Sequence, residues 1–511
     1  MARVIPQPAS VVVDAASAPF TLTSASRIIA SPDAASVADL LASALRTSTG
    51  YPLAVVRAED EPADGREHDI RITAGPASVQ AGTGLAEDES YRLSANESGV
   101  DIVAAEPAGA FAAVQTLRQL LPAANWSPRV QAVAWTVKAT TVEDAPRFPY
   151  RGAMLDVARH FFTVAQVQRF IDQIAALKIN VLHLHLTDDQ GWRLHIDSWP
   201  ELTGVGASTN VNGAKDGKGG FYTADDYRAI VDYAAARFIT IVPEVDVPGH
   251  TNAALASYAE LNADGVAPAP YEGTEVGFST LTIGAEITER FLTEVLGEVA
   301  AATPGPFLHI GGDESHATKP EDFLAFVEQA TGIAAATGKT VIGWHEMGKS
   351  PALVPGTIGQ YWNYLVPQEG HAEELRSFVD QGGKAVMSPA DVAYVDMKYT
   401  EDFPLGLTWA EGPTSVEASY GWDPAAIVEG VTEESILGVE APLWTETVVS
   451  SADIESLVFP RLASVAETGW SAAGPKDWSE FRSRLAELGQ DWTAAGVAFH
   501  RSPEVDWSPK A

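Results

Sequence analysis

Phe307-Leu308-His309-Ile310-Gly311-Gly312-Asp313-Glu314 is an apolar run that stops at two glycines and two carboxylates. A short apolar run suits a strand buried on both faces, and adjacent strand residues point to opposite sides. Both acids can therefore serve one site only if the strand ends at Gly311 and Gly312, whose backbone freedom permits it. Seven comparable runs lie outward from this one, at residues 152–155, 179–186, 238–245, 340–344, 357–361, 384–387 and 436–439. Amphipathic helical patterns separate them at residues 164–177, 224–236, 285–301, 320–336 and 369–380, the second opened by Thr223 and Asp226 in the manner of a capping box. Eight strands alternating with helices predict an α/β chain built as a (β/α)8 TIM barrel. An open doubly wound sheet is the alternative, but no Gly-rich phosphate loop follows the first strand. Helices over 453–467 and 478–488 would close the outer layer.

The first 145 residues read differently. Short β-like runs at 11–13, 68–73, 91–93 and 100–103 alternate with helical patterns at 37–45 and 110–121, the latter carrying Phe111, Val114, Leu117, Leu120 and Leu121 at helical spacing. This is a small α+β domain. Pro146 and Pro149 favour extended backbone and mark its end, so the expected division is an α+β domain over 1–145 and the barrel, with its closing helices, over 146–511.

Composition narrows the function. Of 511 residues, 33 are Lys or Arg and 68 are Asp or Glu, a formal net charge of −35. Such a surface repels phosphate backbones and anionic lipid, which argues against a nucleic-acid or membrane partner. With no cysteine, disulfides, zinc-thiolate sites and cysteine nucleophiles are excluded. The opening residues show no charged segment followed by an apolar core of signal-peptide length, and no uncharged apolar span is long enough for a membrane helix. A cytoplasmic location is expected for the sequence as given, and a secreted one if a leader has been removed. The oligomeric state stays open.

In a barrel of this kind the reactive groups follow the C-terminal ends of the strands. In chain order these positions hold Asp156 and Arg159, Asp188 and Asp189, Asp246 and His250, Asp313 and Glu314, then Trp344, His345 and Glu346, Tyr361 and Trp362, Tyr394 and Asp396, and lastly Trp444 and Glu446. Aromatic faces stack on the CH faces of a sugar ring, and carboxylates accept its hydroxyls, so the mixture suits a carbohydrate. A nucleotide would call for basic residues. Two close carboxylates push their pKa values apart, leaving one protonated as a general acid and one charged as its electrostatic partner. His183 and His185 share one face of their strand. A metal-ligand role is the alternative to core hydrogen bonding, but His250, His309 and His345 complete no recognisable ligand spacing, so no metal is expected. Asp246 and His250 could form a carboxylate–imidazole pair that tunes a neighbouring acid.

Four segments then match a known pattern: Asp156-Val157-Ala158-Arg159-His160-Phe161, His183 through Trp192, His309-Ile310-Gly311-Gly312-Asp313-Glu314, and Trp444-Thr445-Glu446. Together they resemble family 20 glycoside hydrolases, the bacterial β-N-acetylhexosaminidases, over about residues 145–500. The leading domain resembles the α+β domain that precedes that barrel, on weaker motifs. The resemblance implies a retaining, substrate-assisted mechanism. On that likeness Glu314 is the general acid/base, Asp313 orients the 2-acetamido group and steadies the positive charge formed on it, and Tyr394 bonds its carbonyl. Trp344, Trp362 and Trp444 resemble the walls of the acetamido pocket, and Trp409 shapes the neighbouring subsite. Arg159, Asp396 and Glu446 resemble the residues that hold the outer hydroxyls of the terminal sugar, while Asp188, Asp246 and His250 position the acidic pair. The implied activity is exo-cleavage of non-reducing N-acetylglucosamine, and of N-acetylgalactosamine, without metal or organic cofactor. Two rival readings are a non-catalytic sugar-binding barrel, which has no use for Asp313-Glu314, and a metal-dependent hydrolase built on His183 and His185.

Overall fold

The computed structural model describes residues 4–61, 68–79, 84–213 and 219–507. All eight predicted runs form strands: β1 (Tyr150–Asp156), β2 (Val181–His185), β3 (Thr240–Glu244), β4 (Phe307–His309), β5 (Thr340–Trp344), β6 (Ile358–Tyr361), β7 (Ala385–Met387) and β8 (Ile436–Leu443). Each pairs in parallel with the next, and β8 returns to β1 with Gly152 opposite Glu440, closing the barrel. That closing pair rules out the open sheet. The strands are buried except at Thr240 and Thr340, as two-sided coverage requires.

The barrel interior is layered. Each strand contributes one side chain to an apolar floor: Tyr150, Val181, Val242, Phe307, Ile342, Ile358, Val386 and Leu437, joined from below by Leu85 of the N-terminal domain. Above it lies a polar storey that includes His183, Glu244, His309, Gln360 and Glu440, all fully buried. Gly152 leaves room for this storey, since a Cβ there would stand 2.5 Å from Glu440 Oε2. The rim, at the C-terminal strand ends, carries the acids and aromatic rings.

Helices Val164–Ala175, Ala224–Ala235, Glu286–Ala302, Pro320–Ala336 and His371–Asp380 fall where the periodicity puts them, and the Thr223 side chain accepts the Asp226 N–H in the expected capping box. The predicted helix over 453–467 is instead two, Ser451–Val458 and Arg461–Trp470. Pro460 stands between them, and its ring and missing N–H interrupt a helix. The last helix, Trp478–Ala495, runs longer than predicted to a left-handed Gly496. Among the described residues no helix is long and apolar enough to cross a membrane.

The N-terminal sheet has seven strands in the order Ser10–Val13, Thr140–Asp144, Tyr91–Asn96, Gly99–Ala104, Asp69–Ala74, Ile28–Ala30, Val55–Arg57. Helices Ala35–Thr49 and Pro107–Leu120 cover its apolar face. The sheet is clamped to the barrel through Asp144, whose Oδ2 accepts from Lys178 Nζ at 2.8 Å, Tyr91 Oη at 2.7 Å and Trp470 Nε1 at 3.0 Å. A second buried pair joins Arg151 to Glu89 at 2.8 Å.

Candidate active site

After β4 the chain leaves the strand geometry at once. Gly311 and Gly312 take φ of +66° and +100°, and Glu314 takes +42°, the left-handed region that glycine tolerates best. Space demands glycine as well: a Cβ on Gly311 would lie 1.7 Å from Asp246 Oδ1, and one on Gly312 would lie 2.5 Å from Met347 Cγ. The twist turns two sequence neighbours into one cavity. Asp313 Oδ2 and Glu314 Oε2 stand 3.6 and 3.5 Å from the same atom, His250 Nε2.

Behind His250 a proton-bearing chain runs down through the barrel. His250 Nδ1 faces Asp188 Oδ1 at 3.2 Å, and Asp188 Oδ2 meets His185 Nε2 at 2.8 Å and Arg159 Nη2 at 2.9 Å. His185 Nδ1 reaches Glu244 Oε2 at 2.5 Å. That carboxylate also faces His183 Nε2 and His309 Nδ1, each at 3.0 Å, and accepts from Trp344 Nε1 at 2.9 Å. His183 Nδ1 continues to Glu440 at 2.9 Å, which accepts from Tyr150 Oη and Gln360 Nε2 at 2.6 and 2.7 Å. Buried charges persist when each has such partners. His183 and His185 both act as core hydrogen-bonding groups, as preferred from sequence.

The electrostatics agree with this geometry. Burial opposes a charged His250, but Asp188 and Asp313 overcome it and hold the imidazolium well above its usual range. Burial would raise Asp188, yet Arg159 and His250 keep it well below the carboxylate range. Asp313 is pushed up to about 6, first by burial and then, against the pull of His250, by Glu314 and Glu244. Asp246 is driven well above its usual value by burial and by Asp313. Its Oδ1 accepts the Gly312 N–H at 3.1 Å, and its Oδ2 has no hydrogen-bond partner among the described residues. Glu314 goes the other way: burial would raise it, but the His250 hydrogen bond and charge bring it below its usual value. The two acids are split, Asp313 raised and Glu314 lowered, so Asp313 is the later of the pair to lose its proton as pH rises. The expected Asp246–His250 pair is replaced by Asp188–His250, while Asp246 Oδ1 is taken by the Gly312 N–H.

The predicted aromatic residues form a continuous wall. Ring centroids are 6.0 Å apart for Trp344 and Trp444, 6.5 Å for Trp444 and Tyr394, 5.7 Å for Tyr394 and Trp409, and 5.9 Å for Trp409 and Trp362. Trp344 is fully buried and Trp409 is 43% exposed, so the wall runs from the interior to solvent. Beside it, Arg159 lies over Trp444 at 4.7 Å. Both oxygens of buried Asp396 and the Arg159 Nε lack a hydrogen-bond partner among the described residues. Burial and the nearby Glu446 hold Asp396 well above the carboxylate range, and burial raises Glu446 despite Arg159. Orphaned buried acceptors beside an aromatic face suit a ligand rich in hydroxyls.

Sequence reasoning missed Glu244, which sits inside a predicted apolar run, and Glu440, which falls just past the run at 436–439 in a strand that continues to Leu443. A carboxylate in a doubly buried strand must be paired, and three histidines on adjoining strands were the available clue. It placed Glu346 on the rim after β5 but gave it no role. This buried acid accepts the Trp362 indole N–H at 2.9 Å, and burial together with Asp313 raises it well above its usual range.

The family model for the glycosyl hydrolase family 20 catalytic domain matches residues 148–473, and that for family 20 domain 2 matches residues 1–145. The chain belongs to glycosyl hydrolase family 20. The family resemblance, the barrel and the preceding α+β domain are thereby borne out, and this family 20 hydrolase is an enzyme that cleaves glycosidic bonds. It is 40% identical over 496 residues to the β-N-acetylhexosaminidase of Cellulomonas fimi, spanning 96% of this chain and 94% of that one. It superposes with TM-score 0.93 and 48% identity on the family 20 β-N-acetylhexosaminidase of Streptomyces coelicolor A3(2), covering 99% of both chains. The Streptomyces plicatus N-acetyl-β-hexosaminidase in complex with Thio-NAglucal matches at TM-score 0.91 and 47% identity, covering 99% of this chain and 98% of that one.

Proposed function

We propose that this hydrolase is a retaining exo-β-N-acetylhexosaminidase that releases terminal N-acetylglucosamine, and N-acetylgalactosamine, from chitooligosaccharides or glycans by substrate-assisted catalysis. The observation that carries the reading is the pair Asp313 and Glu314, turned by two glycines onto one imidazole and facing an aromatic wall. Relatives named for this activity support it across the full chain.

Glu314 protonates the glycosidic oxygen while the substrate's own acetamido carbonyl oxygen attacks C1, and the bond from C1 to the leaving oxygen breaks. A tethered nucleophile carries a large effective concentration. The resulting oxazolinium is cationic at the amide, where Asp313 accepts the N–H and its negative charge lowers the barrier, and Tyr394 donates to the carbonyl oxygen. Glu314 then takes a proton from water, which attacks C1 from the side the leaving group vacated and reopens the ring with the β configuration kept. Trp344, Trp362 and Trp444 wall the acetamido group and Trp409 flanks the next sugar. Arg159, Asp396 and Glu446 take the outer hydroxyls. Asp188, Asp246 and His250 hold the acidic pair in place. The scheme calls on no metal or organic cofactor.

The productive state needs a proton on Glu314, which the free cavity holds below its usual value. Substrate reverses the order of the two acids. An amide N–H given to Asp313 stabilises its anion, and a sugar covering Glu314, which is 31% exposed in its side chain, removes the water that favours its charge. Residues 1–145 form the supporting domain and 146–511 the catalytic one. The test is inhibition by a thiazoline mimic of the cyclised intermediate: tight binding is expected, and a trapped covalent bond between the protein and C1 would overturn the mechanism.

A further inference from the structure

Just behind the Trp362 wall, outside the acidic pair, three donors converge that the reaction does not use. His345 follows β5 and is fully buried; His371 and Glu374 are one turn apart on the helix His371–Asp380 and so share a face. His345 Nε2 lies 2.7 Å from His371 Nδ1, and Glu374 Oε2 lies 3.3 Å from His371 Nδ1 and 3.8 Å from His345 Nε2. Only one of the two facing ring nitrogens can carry a proton. Glu374 Oε2, a buried atom, has no hydrogen-bond partner among the described residues.

We infer that His345, His371 and Glu374 form a binding site for a divalent transition-metal ion of the zinc(II) class. Two imidazoles and a carboxylate suit that class, whereas magnesium and calcium take oxygen ligands. A zinc ion with three protein ligands keeps its fourth position for water. Nitrogens bound to one tetrahedral zinc stand about 3.3 Å apart, so the imidazoles must part by about 0.6 Å from the observed contact. His371, partly exposed at the first turn of its helix, can supply that movement. Lys349 Nζ, 3.4 Å from Glu374 Oε1, is half-exposed and free to swing into solvent.

Occupancy also dictates a tautomer. With Nε2 on the ion, the His345 proton sits on Nδ1, 3.5 Å from Glu346 Oε2, the same oxygen that accepts the Trp362 indole N–H. The contact given up is the long one from the Trp362 backbone N–H to Nδ1, at 3.4 Å. Ligand histidines are commonly oriented by such a carboxylate, and here that carboxylate also steadies the sugar-binding wall.

The full-length protein, stripped with a chelator, is titrated with Zn2+ against a chromophoric chelator, and separately with Co2+ while its visible absorption is followed. One equivalent per chain and a tetrahedral-type cobalt spectrum are expected. His371→Ala and Glu374→Gln should each weaken zinc at least about 100-fold, more than loss of an outer partner costs, and the rise in melting temperature that zinc brings should be lost with it. If Glu374→Gln does not fold, His371→Asn on the partly exposed residue carries the comparison. Absence of stoichiometric uptake, or uptake that persists in the variants, would overturn the site.

Discussion

Replacing Asp313 by Asn should make the enzyme slower and, at neutral pH, more stable. Its carboxyl titrates at about 6 in the fold against 3.8 for an unperturbed Asp. Between those values the folded protein keeps a proton that the unfolded chain has lost, so stability falls as pH rises through the window. At about 1.4 kcal/mol per pH unit, burying the charge costs about 3 kcal/mol once both states are ionised. Asn carries no such charge, and His250 retains Asp188 and Glu314 as partners. If the roughly 360 residues of the barrel unfold together, at about 2.1 cal/mol/K per residue, the gain is about 4 °C. Catalysis should move the other way. A unit charge about 4 Å from the oxazolinium, at an effective dielectric of about 20, is worth about 4 kcal/mol, or roughly a thousandfold in kcat. Thermal melts at neutral pH and near pH 4, with kcat on a chromogenic N-acetylglucosaminide, test both halves. A variant that melts lower at neutral pH, or one whose gain survives undiminished near pH 4, where Asp313 is protonated in the fold and close to half protonated in the unfolded chain, would refute the electrostatic reading.

The remaining expectations are simpler. Glu314→Gln keeps the shape but cannot donate the proton, so kcat should fall by about 10² to 10⁴ while the KM for substrate changes little; an intact rate removes Glu314 from the chemistry. The rate of free enzyme with dilute substrate should decline below about pH 6 as Asp313 gains its proton, and Asp313→Asn should flatten that limb. Glu244→Gln sets an amide N–H against two of the four donors now facing that carboxylate. Breaking a buried charge cluster costs about 3 to 5 kcal/mol, read as a lower melting temperature, and an unchanged melt would mean the chain of imidazoles is not coupled as described. Gly311→Ala should cost more activity than stability, because its methyl displaces Asp246, whose Oδ1 holds the Gly312 N–H just ahead of the acidic pair; kcat equal to wild type would show that the turn absorbs it.

The barrel was legible because strands covered on both faces write themselves as mainly apolar runs, and all eight runs became strands. The rim was legible for a related reason: the chain just past the end of such a run enters the mouth of the barrel, so Trp344, Trp362 and Trp444 announced themselves by position. The short strands of the first domain did not. Ile28–Ala30 and Val55–Arg57 are three residues each, too few to show a period. Phe20–Thr21, Thr136–Val137 and Thr140–Asp144 were missed too, the first two being only two residues long. Partnership was harder still. Nothing in the chain order says that His250 turns to Asp188, 62 residues away, or that Glu244 gathers donors from three strands, because those bonds depend on register across the barrel. The division of protons between Asp313 and Glu314 depends on which of them lies deeper, and that is a property of the turn.

The clamp at Asp144 means that the first domain is a foundation for the second. Excise residues 1–145 and Lys178, now wholly enclosed, is left as a bare cation, Arg151 loses Glu89, and the barrel floor loses Leu85, its cork. The chemistry sits at the opposite mouth, yet the severed barrel would open a wet, charged hole beneath the very storey of imidazoles that aligns it. A shorter enzyme cannot be had by trimming alone; the exposed underside would first have to be rebuilt.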